Sequence, residues 1–346
     1  MGTRTRALGA ILATLMVTPL LGDPGGAVPP LPEHLRDTGL YGDWDHKVVA
    51  AENLPYAPQY PLWSDGAAKS RWVHLPPGTW IDGTDADAWQ FPVGTRVWKE
   101  FRFGDAPAET RFIERTPDGW RYASYAWKAD GTDAVLAPAR GILNSVTIGE
   151  GVRHAIPSRT DCTACHEAGP TPMLSLSALQ LSPDRDPAAP HAEQLPAGAV
   201  DLDALVARGL VRGMPDHVMQ RAPRIDASTP TSRAALGYLH TNCGMCHNGT
   251  GPMASLDFSL RYALAGPGAP RTDALFTTLG ARSHFKVSGQ PDQVDRIHPG
   301  RPDLSVLVTR MASRHPVLQM PPLGTRLVDE GVVALLRRWI ADDLRR

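Results

Sequence analysis

Several motifs that mark common enzyme classes are absent from this chain. No G-x-G-x-x-G loop follows a strand and opens a helix, and no phosphate loop ends in Gly-Lys-Ser or Gly-Lys-Thr. These absences argue against dinucleotide and nucleoside triphosphate binding. Serine, histidine and aspartate occur only as scattered residues, without the context of a hydrolase triad.

An excess of charge of either sign is also absent. The 346 residues include 35 basic and 36 acidic side chains, a formal net charge of −1. We therefore expect neither nucleic acid nor an anionic membrane surface as a partner.

The chain begins with a hydrophobic run that is too short to span a membrane. Arg4 and Arg6 precede the apolar residues 7–17, and Pro19 interrupts the run. This pattern predicts a signal peptide over residues 1–22, with cleavage as late as residue 27, and no membrane span in the mature chain. We expect a periplasmic or otherwise exported protein.

Cysteine is scarce, and all four cysteines fall in two copies of one pattern. Residues 162–166 read Cys-Thr-Ala-Cys-His and residues 243–247 read Cys-Gly-Met-Cys-His. C-x-x-C-H is the signature of covalent c-type haem attachment, in which two thiols bond the porphyrin and the histidine binds iron. The pattern predicts two covalently bound haem c groups, with attachment at Cys162, Cys165, Cys243 and Cys246 and iron ligands at His166 and His247.

Two other interpretations of the cysteines fit less well. A thioredoxin-like dithiol needs no histidine after its second cysteine. Paired C-x-x-C zinc sites lie roughly 15–20 residues apart, whereas Cys165 and Cys243 are much farther apart. Both comparisons favour haem.

The sixth iron ligands are predicted from methionines in Met-Pro turns. Met320 begins Met-Pro-Pro and is the candidate at the second haem, and Met214, in Gly-Met-Pro, is a candidate at the first. A thioether favours reduced iron and suits electron transfer. Weaker candidates were Met245 and Met253 for the second haem, and Met173, Met219, His154, His191 and His217 for the first.

Composition divides the chain into parts of different character. Eight of the nine tryptophans precede residue 130, and residues 70–75, 95–101 and 120–127 alternate as half-buried strands do. We expect a β-sandwich over residues 40–150. Residues 182–200 are rich in proline and alanine and read as a connection.

The C-terminal part shows helical patterns. A predicted helix over residues 232–240 leads into the second motif, and residues 332–344 carry one apolar helical face. We therefore predict an α+β multidomain protein in which a β-sandwich-like N-terminal domain leads to the first haem motif and an all-α cytochrome c-like domain ends the chain. The predicted boundaries are residues 23–160 for the β-rich domain, 161–228 for the first motif and connection, and 229–346 for the cytochrome c domain.

The chain resembles a bacterial family of secreted di-haem c-type cytochromes. The resemblance spans most of the mature chain and includes residues 60–66, 75–79, 91–95, 177–181, 298–300 and 320–322. It implies haem binding and electron transfer. A weaker similarity, confined to residues 91–166, is to small haem proteins that oxidise hydroxylamine.

Three functions follow from these patterns. The first is a periplasmic di-haem cytochrome that passes electrons between redox partner proteins. The alternative is a haem enzyme with a five-coordinate first haem, acting on peroxide or a small nitrogen compound. The third is a module whose β-domain docks the cytochrome to a partner. No sequence feature fixes the oligomeric state.

Overall fold

The structure, a computed structural model, describes residues 28–264, 271–287, 289 and 294–345. The described residues from Leu31 onward belong to one compact unit. The predicted signal peptide, residues 1–22, and its cleavage region up to residue 27 lie outside the described residues. No helix in the described part combines the length and hydrophobicity needed to cross a bilayer.

The N-terminal half is dominated by β-strands. The strands within the described residues are β1 (Tyr41–Asp43), β2 (Val48–Val49), β3 (Leu54–Pro55), β4 (Ala68–His74), β5 (Ile81–Asp82), β6 (Arg96–Phe103), β7 (Ala106–Thr116), β8 (Gly119–Trp127), β9 (Ala134–Leu136), β10 (Thr147–Gly149), β11 (Val152–Arg153), β12 (Val211–Arg212), β13 (Tyr262–Ala263) and β14 (Arg271–Thr272).

Six strands form one antiparallel sheet in the order β3-β4-β6-β7-β8-β9. The strands predicted over residues 70–75, 95–101 and 120–127 are confirmed as β4, β6 and β8. Residues 117–118 join β7 to β8, where Gly119 takes a φ of 138° that favours glycine. This sheet is the largest regular element of the described chain.

The two faces of the large sheet differ chemically. One face, which we call the outer face, buries Trp98, Phe112 and Tyr125 in an aromatic core. The opposite face, which we call the inner face, carries Lys69 and Arg71 of β4, Val97 and Lys99 of β6, Glu109, Arg111 and Ile113 of β7, and Tyr122 and Ser124 of β8. Alternate residues of a strand point to opposite faces, so the charged residues share one side.

The expected β-sandwich is wrong, because the described residues contain one large sheet and only two-stranded sheets besides. Helix α1 (Arg159–His166) and the segments that carry His154 and Glu193 contact the inner face instead. Alternation identified half-buried strands, but it does not distinguish a covering sheet from covering helices and loops.

Helices are short and lie mainly in the second half. They are α1, α2 (Leu202–Ala207), α3 (Asp216–Met219), α4 (Pro230–Asn242), α5 (Asp273–Thr278), α6 (Val306–Met311) and α7 (Glu330–Arg338), the last continued by a π-helical turn over Trp339–Asp343. Single 3-10 turns cover Leu35–Thr38, Gly251–Leu256 and Pro302–Leu304.

The predicted all-α C-terminal domain is also wrong. The two expected terminal helices exist as α4 and α7, and Trp339 Nε1 donates a hydrogen bond to Ser232 Oγ at 3.1 Å where they pack. Between them, however, β13 pairs with β14, and extended chain forms bridges such as Leu279 with Ile297. Pro299 and Pro302 fall in this stretch, and proline cannot continue a helical hydrogen-bond ladder.

Candidate haem-binding site

The first C-x-x-C-H motif lies on a short, capped helix. Helix α1 begins after Ser158, whose Oγ accepts a hydrogen bond from the Asp161 backbone N–H at 3.0 Å, while Asp161 Oδ2 accepts from the Ser158 N–H at 2.9 Å. This reciprocal capping box satisfies two amides that the first turn leaves without partners. Cys162 and Cys165 are three residues apart on this helix and therefore share a face.

His166 is held in the tautomer that a metal ligand needs. Its Nδ1 lies 2.6 Å from the Pro172 carbonyl oxygen, and because a carbonyl only accepts, Nδ1 carries the proton. The lone pair of Nε2 is then available for iron. Burial lowers the pKa of His166 to about 4, so the ring is neutral at neutral pH. The Tyr122 ring packs 5.3 Å from it.

The second motif begins where α4 ends. The Cys243 N–H donates to the Leu239 carbonyl at 3.0 Å, and the His247 N–H donates to the Cys243 carbonyl at 2.8 Å. The His247 ring stacks on Phe258 with centroids 4.5 Å apart. Burial lowers the pKa of His247 to about 4, with Arg310 adding to the effect. Its Nδ1 is buried without a hydrogen-bond partner in the described structure.

His247 and Met320 open into the same apolar cleft. The cleft has a cavity volume of about 170 Å³. Cys243 and Cys246 lie at its wall, and most of the remaining lining is apolar, including Leu260, Phe285, Ile297, Val306 and Met311. Two thiols, a neutral imidazole and a thioether around an apolar cavity fit a covalently attached haem.

The fold brings the two motifs into contact. Cys246 Sγ lies 4.0 Å from the Ala164 carbonyl oxygen, and the neighbouring Cys165 thiol is the main cause that lowers the pKa of Cys246 to about 7. The Asn248 side-chain amide donates to the Ala168 carbonyl at 2.9 Å. A Cβ at Gly251 would collide with the same carbonyl, so only glycine permits this close approach. All four cysteines are free.

Sequence reasoning did not place Glu109 and Arg111 beside the first motif. Lys99, Glu109 and Arg111 lie on the inner face, the side of the sheet on which Tyr122 contacts His166. The charges of Lys99 and Arg111 add to the burial that lowers the pKa of His166. The sequence contained one signal for this arrangement. Lys99 lies two residues from Val97 and two from Phe101, both buried, so the three side chains are on the same face of the strand.

Sequence reasoning also missed residues at the second motif. Met311 and His284 line the same cleft as Met320, and Phe258 stacks on His247. These residues lie 11 to 64 positions after His247 in sequence, so only the fold brings them to the motif.

The methionines proposed as ligands have different surroundings. Met320 lies in the cleft with His247, as noted above, whereas Met214 packs with its Sδ against Gly83, beside β12. Met173 is buried in the main core, Met219 packs against that core, Met245 lines a smaller pocket between the motifs, and Met253 is exposed. Met320 shares a cleft with His247. None of the other candidate methionines has a described contact with His166 or His247.

Two of the three histidines proposed as sixth ligands have other partners. His154 Nε2 lies 3.0 Å from Glu109 Oε1, and His191 Nε2 lies 2.7 Å from Asp329 Oδ2. His217 is a residue of the short helix α3. The sixth ligand of the first haem stays a prediction.

No group of three or more histidine, cysteine, aspartate or glutamate side chains converges as a metal site within the described residues. Comparison with known proteins gives no relative: no family model matches the chain, and neither a search of curated proteins nor one of solved structures finds a match.

Proposed function

We propose that this protein is an exported di-haem c-type cytochrome that transfers electrons between redox partner proteins. The observation that carries the proposal is the meeting of two C-x-x-C-H motifs that are distant in sequence. Cys246 Sγ lies 4.0 Å from the Ala164 carbonyl oxygen, and the Asn248 side chain donates to the Ala168 carbonyl at 2.9 Å. Two haems attached there would supply one-electron redox chemistry at neighbouring positions. Such an arrangement suits a relay within one chain.

The residues of each motif have separate roles in this proposal. Cys162, Cys165, Cys243 and Cys246 would hold the haems through thioether bonds, each made by addition of an S–H group across a vinyl group. His166 and His247 would supply Nε2 to the iron. The Pro172 carbonyl orients the His166 ring, and stacking on Phe258 orients that of His247.

Met320 and the apolar walls of the cleft support electron transfer as the role of the second site. The neutral thioether of Met320 would favour the reduced metal and would leave less room for an exogenous ligand. Leu260, Ile297 and Val306 line the same cleft. Apolar walls would limit the solvent rearrangement that accompanies a change of charge.

A second candidate function, catalysis at the first haem, is favoured by the polarity of its surroundings. The first site is faced by Lys99, Arg111 and Tyr122. The lining of the second site is mostly apolar and includes Met320. Polar groups that can donate hydrogen bonds beside an open metal position are what reduction of peroxide or oxidation of a small nitrogen compound requires.

Haem stoichiometry and electron paramagnetic resonance test the two functions. The mature protein is expected to bind two haems per chain by the pyridine haemochrome assay. The double variants Cys162→Ala/Cys165→Ala and Cys243→Ala/Cys246→Ala are each expected to bind one. A chain without covalent haem would refute both functions.

The spectra of the oxidised protein then separate a carrier from an enzyme. Two low-spin signals that do not respond to azide or cyanide are the result expected for an electron carrier. A high-spin signal that converts to low spin on adding cyanide would instead indicate an open first haem and support catalysis.

A further inference from the structure

The inner face of the sheet concentrates positive charge beside the first motif. Arg71 of β4 lies directly opposite Lys99 of β6, which lies directly opposite Arg111 of β7. Lys69 is two residues from Arg71 on the same face. Adjacent strands are about 4.8 Å apart, so the three directly opposed cations span about 10 Å. We call Lys69, Arg71, Lys99 and Arg111 the cationic row.

Carboxylates compensate only part of this charge. Glu193 forms a two-point ion pair with Arg71 and lies 3.9 Å from Lys69. Glu109 accepts from Arg111 Nη2 at 2.6 Å and also contacts His154. Four basic side chains thus share two ion-paired carboxylates.

Lys99 is the uncompensated member of the row. Within the described residues its ammonium has neither a hydrogen bond nor an ion pair. Lys99 Nζ lies over the Phe101 ring, 4.7 Å from the ring centroid. The Nε–H of Arg71, a residue only 2% exposed, is also buried without a partner. The buried Arg71 donor has lost the hydrogen bond that water would give it, and Lys99, which is half-buried, has a positive charge that no carboxylate of the described residues pairs.

The cationic row is on the same side of the sheet as the first haem motif. Tyr122, which contacts the His166 ring, lies opposite Ile113, and Ile113 is two residues from Arg111 on β7. The row is therefore a wall of the space next to His166.

We propose that the cationic row is an anion-binding site that serves the first haem and takes carboxylate or small oxyanion groups at Lys99. The ligand chemistry has two sources: the two propionate carboxylates of the haem itself, or an external oxyanion brought to an open iron. The first source rests on the proposed function. In both cases the anion supplies the negative charge and acceptor atoms that Lys99 and Arg71 lack.

The experiment uses the full di-haem protein and Lys99→Met, which removes the charge while keeping an unbranched apolar chain. Lys99→Arg keeps the charge. Glu193→Gln removes a competing carboxylate and therefore acts in the opposite direction. Lys128→Met is the matched control, because Lys128 is 54% exposed and pairs with Asp133 away from the row. Circular dichroism and haem content establish that each variant folds.

Two measurements distinguish the sources. If the anion is a propionate, Lys99→Met lowers the midpoint potential of one haem in a spectroelectrochemical titration, since removal of a nearby cation disfavours reduction, and Lys99→Arg restores it. If the anion is external, nitrite or inorganic phosphate gives the unaltered protein a saturable calorimetric titration. Lys99→Met then weakens binding at least tenfold, and Glu193→Gln strengthens it.

Unchanged potentials in Lys99→Met, together with no saturable anion binding in either the unaltered protein or Glu193→Gln, would overturn the proposal. An equal response of Lys128→Met and Lys99→Met would also overturn it. Absence of haem would refute the proposed function. Binding of an external anion would still be tested, because calorimetry does not require haem.

Discussion

Glu109 is an acid with no exposure to solvent, placed between two partners on the inner face. Burial by itself would raise its pKa, but the charge and hydrogen bond of Arg111, with the hydrogen bond of His154, outweigh burial and hold the pKa at about 2. The folded state therefore binds the proton less readily than the unfolded chain. Its contribution to stability is complete above about pH 4.5 and is lost as pH falls toward 2.

Glu109→Gln is expected to lower the free energy of unfolding at pH 7 by on the order of 3 kcal/mol, the equivalent of that pKa difference. The variant should also lose less stability than the unaltered protein between pH 4.5 and 2. Urea unfolding at several pH values measures both effects. Glu150→Gln, at an exposed turn, is the control and should change stability by less than about 0.5 kcal/mol. An unchanged acid dependence in Glu109→Gln would contradict the assignment.

Met320 and Met311 both line the cleft at His247, but only Met320 begins a Met-Pro turn. If Met320 is the thioether ligand, Met320→Ala should convert one of the two haems to a high-spin form that binds cyanide and should lower its midpoint potential. Met311→Leu, which preserves core volume, should leave the spectrum unchanged. Absorption and paramagnetic resonance spectra of the oxidised proteins provide the test. The opposite pattern would identify Met311 as the ligand.

Local sequence patterns predicted individual strands and helices better than they predicted which of these elements pair or pack together. The alternation of Trp98, Lys99 and Glu100 places β6, and the apolar period that includes Val332 and Leu336 places α7. Both signals come from one segment at a time. The cover of the inner face by α1, and the β13–β14 pair between α4 and α7, depend on contacts between distant segments, which periodicity does not encode.

The candidate site was likewise predicted only in the part that depends on local sequence. The candidate thiols and histidines of both motifs were predicted from spacing, because covalent attachment to one porphyrin edge would fix that spacing. The cationic row was not identified, since Arg71, Lys99 and Arg111 are adjacent only through strand register. A charged residue in phase with buried neighbours, such as Lys99 between Val97 and Phe101, was the one local indication.

In the whole molecule, the parts of the chain that were expected to form separate domains contact one another. Parallel pairing of β5 with β12 links the β-rich part to the segment after the first motif. The side chain of Asn248 then links the two motifs, donating to the Ala168 and Met245 carbonyls at 2.9 Å each. Relative positions of the motifs therefore depend on a few polar contacts.

Asn248→Ala tests whether this contact sets the coupling between the motifs. Two hydrogen bonds to carbonyls are lost and the Ala168 carbonyl loses a buried donor, so the free energy of unfolding should fall by about 1–3 kcal/mol. The two motifs should also become less rigidly placed, which weakens the magnetic and electrostatic interaction between two bound redox centres. Asn144→Ala, at an exposed position, is the control. Redox titration and paramagnetic resonance of both variants measure the interaction. A variant that loses stability but keeps the full interaction would show that other contacts, such as that of Gly251 with Ala168, hold the motifs together.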